Sequence, residues 1–113
     1  MRVPLHIGLL RDRVGLTREA LVDDGKGGQV VTRVALRGPA SFPAQVEPLR
    51  SEERLRQAAT EAGVAYRVLL RYHPEVTAST RVTWGTRTLE VVGPPITHGH
   101  QHLIECLCQE RTV

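Results

Sequence analysis

The sequence predicts a mainly β fold: a small closed or rolled antiparallel β-barrel of six or seven short strands with one short helical insertion. Three observations predict it. Apolar and polar residues alternate with a period of two through several stretches separated by turn residues. Gly85-Thr86 joins two such stretches across a two-residue turn. Only one segment places apolar residues at helical spacing. Closing such a sheet on itself removes the exposed edges that invite aggregation.

Residues 13–17 form the first expected strand, and Asp23-Asp24-Gly25-Lys26-Gly27-Gly28 supplies a flexible turn into the second. Residues 30–36 set Val30, Thr32, Val34 and Leu36 against Val31, Arg33 and Ala35. Phe42, Ala44 and Val46 form a short third set, which Pro43 and Pro48 place at a sheet edge or a bend. Segment 49–62 breaks the pattern. Ser51 suits an N-cap, Glu52 and Glu53 face the positive end of the helix dipole, and Leu55, Ala58, Ala59 and Ala62 recur at helical spacing before Gly63. Residues 64–72 carry Val64, Tyr66, Val68, Leu70 and Tyr72 on an inner face and Ala65, Arg67, Leu69 and Arg71 on an outer one. Residues 81–84 and 87–92 flank Gly85-Thr86, whose leading glycine suits a type II′ turn. The last strand, 103–109, is apolar on both faces, as a strand between neighbours would be.

A chain of 113 residues is expected to be one domain, 1–113, because separate cores usually take about 100–200 residues each. A hydrophobic fraction of 41% with 24% charged residues excludes wholesale disorder. Aromatics at 4% are too few for a platform that stacks single-stranded bases. The net charge of +3 is too small to mark a dedicated nucleic-acid binder. Lys26 is the only lysine among 15 basic residues, and arginine suits bidentate pairing at interfaces. No apolar run approaches the roughly 20 residues of a membrane span, and residues 1–10 lack a cleavage site, so neither membrane nor export is expected.

Candidate chemistry is sparse. His98, His100 and His102 precede Cys106 and Cys108, but without C-x2-C spacing they read as a solvated hairpin turn followed by strand thiols rather than a metal site. The i, i+2 cysteines are poorly placed for a structural disulfide, so reduced thiols are expected. The glycine cluster at 24–28 lacks the order of a phosphate loop. Ser41, Ser51 and Ser79 stand in no nucleophile elbow. No enzyme activity and no cofactor or metal are therefore expected. Arg50, Arg54 and Arg56 cluster on the helical segment. They read as a solvated face supported by Glu52–Arg56, or as a positive collar if repeated around a ring.

Six ordered pieces carry a resemblance that spans nearly the whole chain. They are Gly8-Leu9-Leu10-Arg11-Asp12-Arg13-Val14, Asp24-Gly25-Lys26-Gly27-Gly28, Ala44-Gln45-Val46-Glu47-Pro48-Leu49 followed by Glu53-Arg54, Tyr66 through Tyr72, Arg81 through Val91, and Leu107-Cys108-Gln109-Glu110. In this order the chain resembles the head-closure proteins of tailed phages, the head–tail joining family also called stopper or head-completion proteins. It departs in having Leu36 and Phe42 in a region where members often carry Trp, and His98 and His100 where they often carry Arg.

The resemblance implies a structural virion protein of the neck, made in the bacterial host cytoplasm. It implies a β-barrel subunit in a ring of six or twelve copies. Such a ring extends and closes the DNA channel below portal and adaptor, retains packaged DNA and offers a docking surface to the tail. The implied partners are further copies of itself, the adaptor and portal above, tail-terminator or tail-tube proteins below, and packaged duplex DNA contacted without sequence preference. Within that picture Arg50, Arg54 and Arg56 of the 49–62 insertion are candidates for channel or subunit contacts. Arg33, Arg67, Arg71 and Glu47 are candidates for subunit-interface charges, and Asp24, Gly25, Lys26, Gly27 and Gly28 for an adaptor-facing turn. The alternatives are a tail terminator or other neck ring subunit, or a monomeric SH3-like or OB-like nucleic-acid module. The last of these would show exposed aromatics and a clearer basic excess.

Overall fold

The computed structural model describes residues 10–49, 65–99 and 102–111. Among them the regular structure is entirely β, in eight strands: β1 (Asp12–Asp23), β2 (Gln29–Ala35), β3 (Phe42–Pro48), β4 (Ala65–Arg71), β5 (Arg81–Trp84), β6 (Arg87–Val91), β7 (Ile96–His98) and β8 (Leu103–Glu110). Every pairing is antiparallel. Six strands close in the order β1-β3-β4-β8-β6-β5, with β5 returning to β1. This is the closed barrel the alternation predicts, with two strands added. β2 pairs with β1 and β7 pairs with β8. The helical insertion expected over 49–62 lies, beyond Leu49, outside the described residues.

The barrel interior is filled by the inward half of each alternating strand. Val14 and Leu16 come from β1, Ala44 from β3, Tyr66, Val68 and Leu70 from β4, Val82 from β5, Leu89 and Val91 from β6, and Ile104, Cys106 and Cys108 from β8. Residue 66 and its even-numbered neighbours on β4 thus face inward as the pattern requires, and both cysteines share that inward face. The opposite face of β4 is not uniformly wet, since Ala65 and Leu69 are also buried.

Closure depends on one small residue. Gly15 on β1 stands opposite Thr83 on β5. A Cβ at position 15 would lie 2.5 Å from the Thr83 hydroxyl oxygen, so only glycine lets the two strands meet in this arrangement.

Pro43 and Pro48 suggested a sheet edge or a bend for β3, and it is not an edge strand. It lies between β1 and β4, and each proline is paired in one of the strand's two ladders and lies past the end of the other. The β3–β4 ladder begins at Ala44, one residue after Pro43. The β1–β3 ladder ends at Ala44, well before Pro48. Past that end the Val46 amide donates to the Asp12 carboxylate at 2.9 Å, a side chain standing in for the missing strand.

β1 is also far longer than the five residues anticipated. Asp12–Val14 pair with β3 and Gly15–Thr17 with β5. From Arg18 onward the partner is β2 alone. This two-stranded arm extends past the barrel by about 20 Å, given some 3.3 Å per strand residue. β7, three residues long, was not anticipated either. His98 belongs to it rather than to the turn, and Gly99 takes the turn's positive φ of 61°.

Candidate functional site

The outer wall running from β3 to β7 carries a continuous polar network built from four strands. β3, β4, β8 and β7 lie side by side, and their register aligns Glu47 with Arg67 and Arg67 with Leu107. Arg67 donates from Nη1 to Glu47 at 2.9 Å and from Nε to Glu105 at 3.0 Å. The second Glu105 oxygen lies 2.9 Å from His98 Nε2. Two of the candidate interface charges, Arg67 and Glu47, are therefore brought together within one chain. Sequence reasoning missed Glu105 and His98 as their partners, because only strand register joins positions so far apart. Arg71 lies on the same face of β4 and is exposed.

Arg33 is placed elsewhere, at the root of the arm. It donates to the Thr17 carbonyl at 2.9 Å and the Thr17 hydroxyl at 3.1 Å, with the Ser79 carbonyl at 3.4 Å and Glu19 at 3.7 Å. Burial, then the nearby Arg81, lowers its pKa from the ordinary arginine value. The guanidinium thus pins the arm to the Thr77–Thr80 loop of the barrel. That loop closes on itself through Thr80, whose buried hydroxyl accepts the Thr77 amide at 2.9 Å.

The expected flexible turn at the arm's tip is instead held by its aspartates. Asp23 accepts the Gly25 amide at 2.8 Å, and Asp24 accepts the amides of Lys26 at 2.7 Å and Gly28 at 3.0 Å. Gly25 and Gly27 adopt φ of 77° and 83°, which side-chain-bearing residues rarely take.

Two further clusters brace the barrel. Tyr66 donates to Glu110 at 3.3 Å and accepts from Arg87 at 3.0 Å, while Arg87 also lies 5.4 Å over the Trp84 ring. Burial raises the Tyr66 pKa above its usual value, so the phenol remains the donor to Glu110. Elsewhere the Arg37 amide donates to Glu75 at 3.0 Å, and the Arg37 and Arg18 guanidiniums stand nearby. These contacts, the Arg37 amide first, hold the Glu75 carboxyl below the usual carboxylate range. His73 accepts the Glu75 amide on Nδ1 at 3.0 Å, which leaves Nε2 to donate to the Arg37 carbonyl at 2.8 Å.

The histidines and cysteines do not converge among the described residues. His98 turns to Glu105 on the outer wall, whereas Cys106 and Cys108 point into the core. Burial pushes the Cys106 thiol up to about 12, and the Cys108 thiol upward as well. Native protein at pH 8 should therefore not react with dithiobis-nitrobenzoate, and denaturant should release both thiols, the two free cysteines. Rapid labelling of native protein would show that the thiols are accessible. Arg50, Arg54 and Arg56 lie outside the described residues.

The described residues thus form a closed barrel with an apolar interior, polar bracing and a projecting arm. The family assignment follows from comparison. A model of the phage head completion protein family matches residues 5–111, and the chain belongs to that family, a structural component of the phage virion. It is 27% identical over 107 residues to the head completion protein gp7 of Enterobacteria phage HK97, covering 90% of this chain and 93% of that one. The solution structure of protein SF1141 from Shigella flexneri 2a is similar, with a TM-score of 0.73 and 27% identity, covering 94% of this chain and 96% of that one. A chain from the virion of a native gene transfer agent particle shares the fold, with a TM-score of 0.62 and 21% identity, over 92% and 96% of the two chains.

Proposed function

We propose that this head completion protein is a ring subunit of the phage neck. The ring extends and closes the DNA channel below portal and adaptor, retains the packaged genome and presents the surface on which the tail docks. The observation that carries this reading is the family match across residues 5–111 on a closed, internally braced barrel. A barrel whose six strands are all paired is a stiff stave, and staves meet head to tail through unlike faces when a ring closes. Six or twelve copies assemble after synthesis in the host cytoplasm.

Within the ring, Arg50, Arg54 and Arg56 of segment 49–62 face DNA phosphates or neighbouring subunits, where their charge is multiplied by the copy number. The turn Asp24-Gly25-Lys26-Gly27-Gly28 reaches toward the adaptor. Of the interface charges, Arg71 is exposed on the wall, and Arg67 with Glu47 presents a pre-oriented ion pair. Arg33 serves the interface indirectly, by fixing the arm.

Particles made without this chain test the reading. The expected outcome is heads that package DNA and then lose it, alongside free tails. Heads that never fill would place the function upstream, in the portal or packaging motor. Filled, tailed and infectious particles would remove the neck role altogether.

A further inference from the structure

The large apolar side chains that the described residues leave exposed fall into two groups. Leu21, Val22, Val30 and Val31 lie near the tip of the β1–β2 arm, Leu21 at 63% and Val31 at 62% exposure. Val92 and Ile96 lie on the barrel wall. The register explains each group. Leu21 stands opposite Val31 and Val22 opposite Val30, so the tip is apolar on both faces. Ile96 stands opposite Glu105, and the Val92 amide donates to the Leu107 carbonyl at 2.8 Å, so these two sit side by side along the outer face of β8.

Strand order places the two groups on opposite sides of the barrel. Counting around the closed sheet, β8 is three strands from β1 in either direction. The arm leaves from β1, and the wall patch is built on β8. A projecting apolar arm on one side and an apolar patch on the other form a head-to-tail pair. Such heterologous contacts generate rings when the rotation closes. Charge agrees with this pairing. Asp23 lies on the same face of the arm as Leu21, and exposed Arg71 lies on the wall side, on β4, which neighbours β8.

We infer that the arm of one copy packs its Leu21–Val31 face on the Val92–Ile96 wall of the next copy. The inference rests on the ring reading above and names the contact that builds the ring. An isolated two-stranded ribbon is marginal in water, so the neighbour's wall supplies the third layer the arm lacks. Each copy makes the contact twice, once with its arm and once with its wall. A patch too small to hold a dimer can therefore hold a closed ring.

Paired cysteines in assembled particles test this. L21C/I96C and V31C/V92C place thiols on arm and wall at exposed positions, and the native thiols are buried. With a short bismaleimide, particles carrying either pair should give a ladder of multimers of this chain on denaturing gels. Each single variant should lose the ladder. If both pairs give no ladder in particles that contain the chain and are tailed and filled, the arm contact is wrong while the ring reading stands. A cross-link from L21C or V31C to a different virion protein, with no ladder of this chain, also overturns it. If the chain is absent from finished particles, the ring reading itself fails and the contact with it.

Discussion

Leu89→Ala destabilises the protein by about 3–4 kcal/mol, as large-to-small changes at sealed core positions do. Leu89 has no exposed surface. It stands opposite Val82 on β5 and Glu110 on β8, so it packs where two of the barrel's seams converge. A domain of this size has only about 5–15 kcal/mol in total, and the midpoint temperature should fall by on the order of 15 °C. Leu21→Ala is the control. At 63% exposure on the arm it should change stability by no more than about 0.5 kcal/mol. Equal losses from the two substitutions in urea or thermal unfolding would contradict the barrel interior described above.

Gly15→Ala is the second large effect, and its sign depends on its partner. In the native background the new methyl meets the Thr83 hydroxyl oxygen, 2.5 Å from the ideal Cβ position. The β1–β5 seam must then shift, at about 1–2 kcal/mol. In a Thr83→Ala background the obstacle is gone. Gly15 does not use a positive φ, so the same Gly→Ala change should be neutral or stabilising by about 0.5–1 kcal/mol, through the lower entropy of the unfolded chain. A double-mutant cycle in urea reads this as a coupling of more than about 1 kcal/mol. Additive behaviour would mean that the close approach does not limit barrel closure.

Much of the barrel was legible because period-two alternation is a local signal. The inward phase of Tyr66, Val68 and Leu70 follows from the sequence of β4 alone, and the β5–β6 hairpin follows from Gly85-Thr86. The length of β1 did not follow. Leu21 and Val22 are consecutive apolar residues, as are Val30 and Val31, so the alternation that marks a half-buried strand breaks down near the tip of the arm. That same break, flanking an Asp-Gly turn on both sides, is the one sequence signal of an unpartnered ribbon. β7 is too short, at three residues, to show any period. The prolines misled because a sequence does not tell where a ladder stops. Pro43 and Pro48 occupy a central strand because each is paired on one side only, past the end of the ladder on the other.

The candidate charges divide for a similar reason. Composition shows that arginine abounds, but not which arginine the fold consumes. Arg67 meets Glu47 and Glu105 through strand register, and Arg33 is spent on backbone carbonyls at the root of the arm. Arg71 stays at the surface. The family resemblance in the ordered motifs reached the function class that the match over residues 5–111 supports. No local pattern reports what a subunit touches once assembled.

A reconstruction of the virion neck tests the central claim most directly. The predicted result is a closed ring of this chain between the portal vertex and the tail, with each barrel's β1–β2 arm lying against the β8 side of its neighbour. Finding the chain in the capsid shell or along the tail tube, or as isolated copies that never form a ring, would contradict it.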